Sequence, residues 1–121
     1  SNAMLERTIA SMVRTESVRP AILADSRASD RQATANSYYE LMTTDLRPEL
    51  AAIKAPTTVL YVVPAGIPVT PEMMDGLYQS LYAGLPGVKL VRVPDAAHFI
   101  QVDNAPRFQQ ELKTFMGAGG R

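Results

Sequence analysis

The sequence PTTVLYVVP, residues 56–64, decides the fold class of this chain. Every residue between its two prolines is β-branched, aliphatic or aromatic, and none carries a charge. Continuous apolarity of this kind is typical of a parallel strand that is covered on both faces, whereas a strand with one solvated face alternates apolar and polar residues. Residues 57–63 therefore predict a buried strand of a parallel sheet, which places the chain in the α/β class.

The residues after this strand predict a helix, a second strand and a final helix. The first of these helices begins after Thr70, a suitable N-cap, with Pro71 in its first turn. Residues 88–93 alternate more clearly and predict the second strand, and Asn104 introduces the final helix. This order of elements implies two parallel strands joined by a right-handed crossover. The apolar faces of the two helices are predicted at Met73, Leu77 and Leu81 and at Phe108, Leu112, Phe115 and Met116.

Residues 4–53 show the helical spacing of apolar side chains and no strand pattern. Four helices are predicted there, and the third carries a stripe of two tyrosines and a methionine. Such a stripe is more often core than pocket lining, so we interpret it as core. The first helix is predicted from the stripe of Leu5, Ile9, Met12 and Val13, and the second starts at Ser17. The third follows a capping box of Ser29 and Gln32 and carries Tyr38, Tyr39 and Met42. The fourth is a short helix at residues 48–53.

The composition argues against several classes of function. Lysine plus arginine and aspartate plus glutamate both number 12 in 121 residues, and this zero net charge disfavours a nucleic-acid groove or a polybasic membrane anchor. The absence of cysteine excludes disulfides and thiolate zinc sites, and the single histidine excludes two-histidine metal motifs. No apolar run approaches the roughly 20 residues that span a bilayer. We therefore expect a cytoplasmic protein with no metal, cofactor, nucleic-acid or membrane partner.

The single histidine, His98, lies in the segment VPDAAHFI, residues 93–100, directly after the second predicted strand. Ligands of α/β sheets bind beyond the carboxyl ends of the strands, so this loop and the loop at residues 64–69 are candidate sites. Histidine side chains titrate near neutral pH and can act as general bases. A lone histidine can also cap a loop or donate to a carbonyl group, and the residues alone favour that plainer role.

From residue 47 to residue 116 the chain resembles the C-terminal part of the α/β-hydrolase superfamily. RPELAAIKAPTTVL, residues 47–60, is similar to that family's entry to its penultimate strand, and LPGVKLVRV, residues 85–93, is similar to its last strand. DAAHF, residues 95–99, resembles the loop of the catalytic histidine, and the segment from residue 104 to 115 resembles the closing helix. The resemblance implies a partial hydrolase fold, divided into an expression-tag scar at 1–3, a helical cap-like region at 4–53, a β-α-β-α part at 54–117 and a flexible tail at 118–121.

The resemblance also implies that His98 is the general base in the hydrolysis of an ester or a similar small carbonyl substrate, without metal or cofactor. Two features of the family are missing. No serine here has glycine two residues away on both sides, so the G-x-S-x-G nucleophile elbow is absent. The family's acid would fall near Ile67, where there is no carboxylate. Glu72 and Asp75 are the nearest candidate acids, although their positions in a first helical turn also suit the helix dipole.

Three further acidic residues have plainer interpretations than catalysis. Asp45 is predicted to cap the short helix at 48–53 rather than to serve as a relocated acid. Asp95 is predicted to order its own turn rather than to orient the ring of His98. Asp103 is predicted to neighbour the cap of the final helix.

We therefore expect a C-terminal fragment of a longer hydrolase, inactive by itself because the nucleophile and the oxyanion hole are lacking. The alternative is a non-catalytic homodimeric module for binding or assembly, derived from the same fold. The strand at 57–63 would leave one edge unpaired, with neither a charge nor an internal proline to protect it. A dimer that pairs two such edges, or that exchanges first-half helices, would cover this edge.

Overall fold

Two parallel strands and the helix that joins them form the centre of the fold. The computed structural model describes residues 2–119. The predicted order of elements is confirmed, with two additions, a 3-10 turn ahead of α2 and a single-turn helix that follows the histidine loop. The helices are α1 (Asn2–Met12), α2 (Arg19–Ala28), α3 (Arg31–Thr43), α4 (Pro71–Leu81), α5 (Ile100–Asp103) and α6 (Ala105–Gly119), the strands are β1 (Thr58–Tyr61) and β2 (Lys89–Arg92), and two 3-10 turns cover Glu16–Val18 and Arg47–Ala52.

Strands β1 and β2 pair in parallel, as predicted, with a register that runs from Thr58 opposite Lys89 to Tyr61 opposite Arg92. Parallel neighbours cannot be joined by a tight hairpin, and α4 provides the crossover between them. Alternate side chains of a strand point to opposite faces, so the sheet divides its residues between two helical layers. Helix α4 contacts one face, while the other face meets the core around α5 and α6.

Helix α4 begins where the sequence predicts, but it buries a different face. The hydroxyl of Thr70 accepts a hydrogen bond from the backbone N–H of Met73 at 3.2 Å, as expected for an N-cap. Met73 and Leu77, predicted to be inward, are 58% and 47% exposed, whereas Met74 is buried. Consecutive helical residues are about 100° apart, and the aromatic ring of Tyr61 on β1 selects the inward side by stacking on Tyr78 with ring centroids 4.2 Å apart.

The hydrophobic core lies on the other face of the sheet, beneath the histidine loop. The buried residues of this core all come from β2 and from the segment that follows it. One continuous piece of chain therefore forms both the core and the histidine loop. Side chains of β1 and α6 pack against that piece and close the layer. The core comprises Val91, Val93, Ala96 and Ile100, with Leu60, Val62 and Phe108 packed against it.

The N-terminal helices differ in how much of their surface is buried against the rest of the chain. Ile9 of the predicted α1 stripe is buried, and Val13, directly after α1, is fully buried. In contrast, α3 has no buried residue, and the interpretation of Tyr38, Tyr39 and Met42 as core is wrong, since Met42 is 78% exposed. The helical period of that stripe is real, but no element of the described chain covers it.

The start of α3 corrects a second prediction. The cap is Asp30, whose carboxylate accepts a hydrogen bond from the N–H of Ala33 at 2.7 Å. Ser29, predicted to open a capping box with Gln32, instead donates its hydroxyl to the carbonyl of Asp25 and finishes α2. A carboxylate one residue nearer the helix competes successfully for the free N–H groups, because its charge favours the positive end of the helix dipole.

The C-terminal helix begins as expected. The side-chain oxygen of Asn104 accepts a hydrogen bond from the N–H of Arg107 at 3.3 Å. The helix continues to Gly119, two residues into the segment predicted as a tail, and residues 120 and 121 lie outside the described residues. Within residues 2–119, no helix combines the length and the apolar character needed to cross a bilayer.

Candidate active site

His98 lies in the loop between β2 and α5, beyond the carboxyl end of the sheet, with its side chain exposed. The prediction that it occupies a loop at this edge rather than a helix is confirmed. Its ring meets the ring of Phe99 edge to face, with centroids 5.7 Å apart. The imidazole is therefore accessible at the edge of the sheet where α/β folds bind their ligands.

A left-handed residue gives the loop its shape. Asp95 has a φ of 55°, a conformation that aspartate and asparagine tolerate better than most residues. The reversal lets Ala96 and Ala97 turn inward, where both are buried, before the chain emerges again at His98. The only charged contact of Asp95 among the described residues is with Arg14 at 3.7 Å. The structure therefore agrees with the prediction that Asp95 orders its own turn.

Asp103 anchors the loop, a role that the sequence analysis missed. Its Oδ2 accepts hydrogen bonds from the N–H groups of Ala97 at 2.9 Å and Arg14 at 3.0 Å. Its Oδ1 accepts the N–H and the hydroxyl of Thr15, both at 2.8 Å. Asp103 is adjacent to Asn104, the cap of α6, as predicted, but its carboxylate faces the end of α1 rather than the helix. Only the tertiary structure brings residues 14 and 15 within reach of residue 103, so no local signal reveals this role.

The environment of Asp103 favours its charged form. Burial acts to raise the pKa of this carboxyl, but the backbone donors of Arg14, Ala97 and Thr15, together with the Thr15 hydroxyl, outweigh it and lower the pKa to about 2. A carboxylate that accepts several N–H bonds is stabilised in its ionised state. Asp103 is consequently a charged acceptor throughout the neutral pH range.

Two more hydrogen bonds hold the histidine loop in place. The side-chain amide of Asn104 donates to the carbonyl of Pro94 at 3.0 Å, which closes the loop across its base. The N–H of Phe99 donates to the carbonyl of Met12 at 3.2 Å, which attaches the loop to the last residue of α1. The loop is thus fixed both to the segment that follows it and to the N-terminal helix.

An apolar groove runs from His98 along the side of β1, beneath α6, and has a volume of about 460 Å³. Leu60, Ile100 and Phe108 line it from the core, and Leu112 and Phe115 of α6 form its outer wall. The one carboxylate in this lining, the buried Glu111, is neutralised by Lys89 at 3.3 Å and Arg107 at 2.9 Å. The groove therefore suits an uncharged, apolar group.

The candidate acids are engaged by groups other than His98. Oδ1 of Asp75 accepts hydrogen bonds from the hydroxyl of Tyr61 at 2.7 Å and from Nε of Arg92 at 2.9 Å. These two partners, the Tyr61 hydroxyl above all, lower the pKa of Asp75. Glu72 lies in the first turn of α4, where its own backbone N–H and the Thr70 hydroxyl lower its pKa. Among residues 2–119, no hydrogen bond joins Glu72 or Asp75 to His98.

The Tyr61, Asp75 and Arg92 cluster is a second feature that the sequence analysis did not find. Tyr61 and Arg92 are register partners at the carboxyl end of the sheet and point to the α4 face. If the sequence analysis had identified the buried face of α4 correctly, it would have placed the carboxylate of Asp75, the residue after the buried Met74, above Tyr61 and Arg92. Ile67, where the family's acid would fall, is more than half exposed.

Asp45 is engaged locally. Its two oxygens form a bidentate pair with Arg47, at 2.8 Å from Nε and 2.7 Å to the terminal nitrogen Nη2, and Oδ1 also accepts the N–H of Arg47. The side chain of Arg47 is the main cause that lowers the pKa of Asp45 to about 2. The prediction that Asp45 caps the short helix is wrong, because the N-cap of the 3-10 turn is Leu46 and no side chain caps it, while the Asp45 carboxylate is held by Arg47. In the described part of the chain, no group of three or more acidic or histidine side chains is arranged to hold a metal ion.

Comparison with known proteins supports this description of the fold. No family model and no curated protein matches the chain. Among solved structures, the chain is similar to the crystal structure of the enol-lactonase from Burkholderia xenovorans LB400, an α/β-hydrolase, with a TM-score of 0.66 and 22% sequence identity. The alignment covers 95% of this chain and 44% of the lactonase chain, so this chain spans less than half the length of that protein. The chain has the fold of part of an α/β-hydrolase.

Proposed function

We propose, from this partial α/β-hydrolase fold, that the chain is the histidine-bearing C-terminal part of a hydrolase that cleaves an ester or a similar small carbonyl substrate. The observation that carries the proposal is the position of His98, which is exposed beyond the carboxyl end of β2 and lines an apolar groove. The groove suits the hydrocarbon part of such a substrate. A lactone is a cyclic ester, so the activity named for the structural neighbour belongs to the same class of reaction.

His98 acts as the general base in this proposal. A serine supplied by a segment outside this chain attacks the carbonyl carbon of the substrate, and its hydroxyl proton passes to the imidazole. When the tetrahedral intermediate collapses, the carbonyl re-forms, the bond to the leaving oxygen breaks, and the imidazolium returns the proton to that oxygen. Water then repeats the sequence on the acyl-enzyme. Glu72 and Asp75 are the candidate acids on this chain, and among the described residues neither is hydrogen-bonded to His98.

The proposal predicts that the chain alone hydrolyses 4-nitrophenyl acetate no faster than an exposed imidazole, and that His98→Ala changes this rate by less than twofold. Joined to the coding segment directly upstream of Met4 in its gene, the protein is expected to show saturable turnover that His98→Ala lowers by at least a thousandfold. Gln109→Ala is the matched control, because Gln109 is exposed on α6, lies outside the groove lining and should retain activity within about threefold. Saturable turnover by the chain alone, or turnover of the joined protein that survives His98→Ala, would contradict the proposal.

A second proposal is favoured by the free edge of the sheet: the isolated chain forms a homodimer in which two β1 strands pair across a two-fold axis. Thr57 and Tyr61 use their carbonyl groups to bind Lys89 and Val93 of the β2 side. Backbone groups alternate in direction along a strand, so those of Thr58 and Leu60 point away from β2. This edge carries no charge and adjoins the apolar groove, and a second copy offers an identical set of donors and acceptors.

The dimer proposal is tested by sedimentation equilibrium. We expect a mass of twice 13.2 kDa at micromolar concentration for the chain and for Thr58→Ala, which keeps the outward N–H group. Thr58→Pro removes that group without touching the ladder to β2, and is expected to weaken dimerisation at least tenfold. Circular dichroism should confirm that all three chains are folded. A wild-type monomer across this range, or a dimer that Thr58→Pro leaves unchanged, would mean that the β1 edge is not the interface.

A further inference from the structure

One carboxylate joins the histidine loop to the N-terminal helical segment. Each carboxylate oxygen of Asp103 accepts two hydrogen bonds, and the two oxygens accept them from different residues. Oδ1 holds Thr15 through its N–H and its hydroxyl. Oδ2 holds the N–H of Ala97, the residue before His98, together with the N–H of Arg14.

We propose that Asp103 is a positioning residue for His98, and that it fixes the histidine loop against the end of α1. The proposal goes beyond general-base catalysis because it gives the N-terminal segment a share in the site, and it rests on the proposed function for its catalytic consequence. Asp103 does not touch the imidazole. It acts through the backbone of Ala97, which is buried and therefore has little freedom once its N–H is bound.

The geometry of the loop makes this restraint effective. Asn104 closes the base of the loop at Pro94, and Met12 accepts the N–H of Phe99, the residue after His98. With Ala97 held by Asp103, the residues on both sides of His98 are bonded to groups at the end of α1 or adjacent to it. A displacement of α1 therefore moves the backbone on both sides of the imidazole.

Asn in place of Asp103 tests the role of the two oxygens. An amide has one acceptor oxygen, and its nitrogen can only donate, so it can serve the Thr15 site or the Ala97 and Arg14 site but not both. Whichever way the amide is oriented, Asp103→Asn therefore loses two of the four hydrogen bonds of this side chain and weakens the link between the histidine loop and the end of α1, while the bond from Phe99 to Met12 remains. Asp95→Asn is the matched control, because Asp95 lies in the same loop and its only charged contact is an exposed one with Arg14 at 3.7 Å.

The experiment is NMR spectroscopy on the chain itself, in which His98 gives the only histidine signal. In Asp103→Asn we expect the amide of Ala97 or that of Thr15, whichever loses its acceptor, to exchange with solvent at least tenfold faster, while those of Val91 and Val93 change less than threefold. The imidazole signal of His98 should shift or split. Asp95→Asn should leave both measurements as in the wild type. Equal acceleration at Val91 and at the released amide would show a merely global loss of stability, and no acceleration at either Ala97 or Thr15 would show that Asp103 does not hold these two segments together; either result overturns the proposal.

A milder variant keeps the proposal testable if Asp103→Asn does not fold. Thr15→Val removes one donor to Asp103 and preserves the shape of the side chain, and is expected to move the His98 signal in the same direction by a smaller amount. An unchanged signal would contradict the link between α1 and the loop. In the protein joined to its upstream segment, Asp103→Asn should lower kcat at least tenfold with KM within about twofold. Absence of any activity there would contradict the proposed function and would leave the exchange result to decide the role of Asp103.

Discussion

Replacing Ile100 with alanine is expected to lower the free energy of unfolding by about 3 kcal/mol. Ile100 is 8% exposed and belongs to the core cluster with Val91 and Val93. Truncation removes buried methyl and methylene groups and leaves a cavity that α5, a single turn, cannot collapse to fill. In a domain of this size such a loss is a large part of the total stability.

Urea denaturation followed by circular dichroism measures this change, at one fixed protein concentration because dimerisation would also alter the midpoint. Ile67→Ala is the control. It makes the same chemical change at a side chain that is 54% exposed, and should cost less than about 0.5 kcal/mol. If Ile100→Ala were no more destabilising than Ile67→Ala, the core beneath the histidine loop would be less tightly packed than the structure describes.

Replacing Asp103 with asparagine is expected to lower the free energy of unfolding by about 1 kcal/mol at pH 7, and to flatten its dependence on pH in the acid range. The pKa of Asp103 falls from 3.8 to about 2 on folding. A lowered pKa stabilises the folded state above the unfolded value, so this contribution is complete at pH 5 and above. It is lost progressively as the pH falls below about 4 and towards 2, because the unfolded chain binds the proton first.

The measurement is a series of urea unfolding curves between pH 2.5 and pH 7 for the wild type, Asp103→Asn and Asp95→Asn. The difference between wild type and Asp103→Asn should shrink as the pH falls, since the other acids, including Asp45, titrate alike in both proteins. Asp95→Asn should follow the wild-type curve. If the difference in the free energy of unfolding between the wild type and Asp103→Asn stayed constant down to pH 2.5, the four hydrogen bonds to residue 103 would not depend on its charge.

The elements of the fold were predictable because they depend on local patterns. The uncharged run at 57–63, the cap at Thr70 and the start of α6 at Asn104 each express a preference of a few neighbouring residues. The faces of the helices were less predictable. Met73 and Met74 are equivalent as apolar residues, and only the packing of α4 on the sheet, which includes the stack of Tyr78 on Tyr61, decides which of them is inward. The exposed stripe of α3 shows the same limit, since periodicity indicates an apolar face but not what covers it.

The sequence by itself determined the α/β class, the position of His98 after the last strand and the absence of a G-x-S-x-G serine within this chain, since each is a property of consecutive residues. The tertiary structure alone decided which groups the acidic side chains bind. Asp75 binds Tyr61 and Arg92 because the strand register and the crossover helix bring these residues to one edge of the sheet. Asp103 holds Thr15 from 88 residues away because α1 ends against the histidine loop. A carboxylate binds whichever donors the packed chain places within about 3 Å, and sequence separation has no part in that choice.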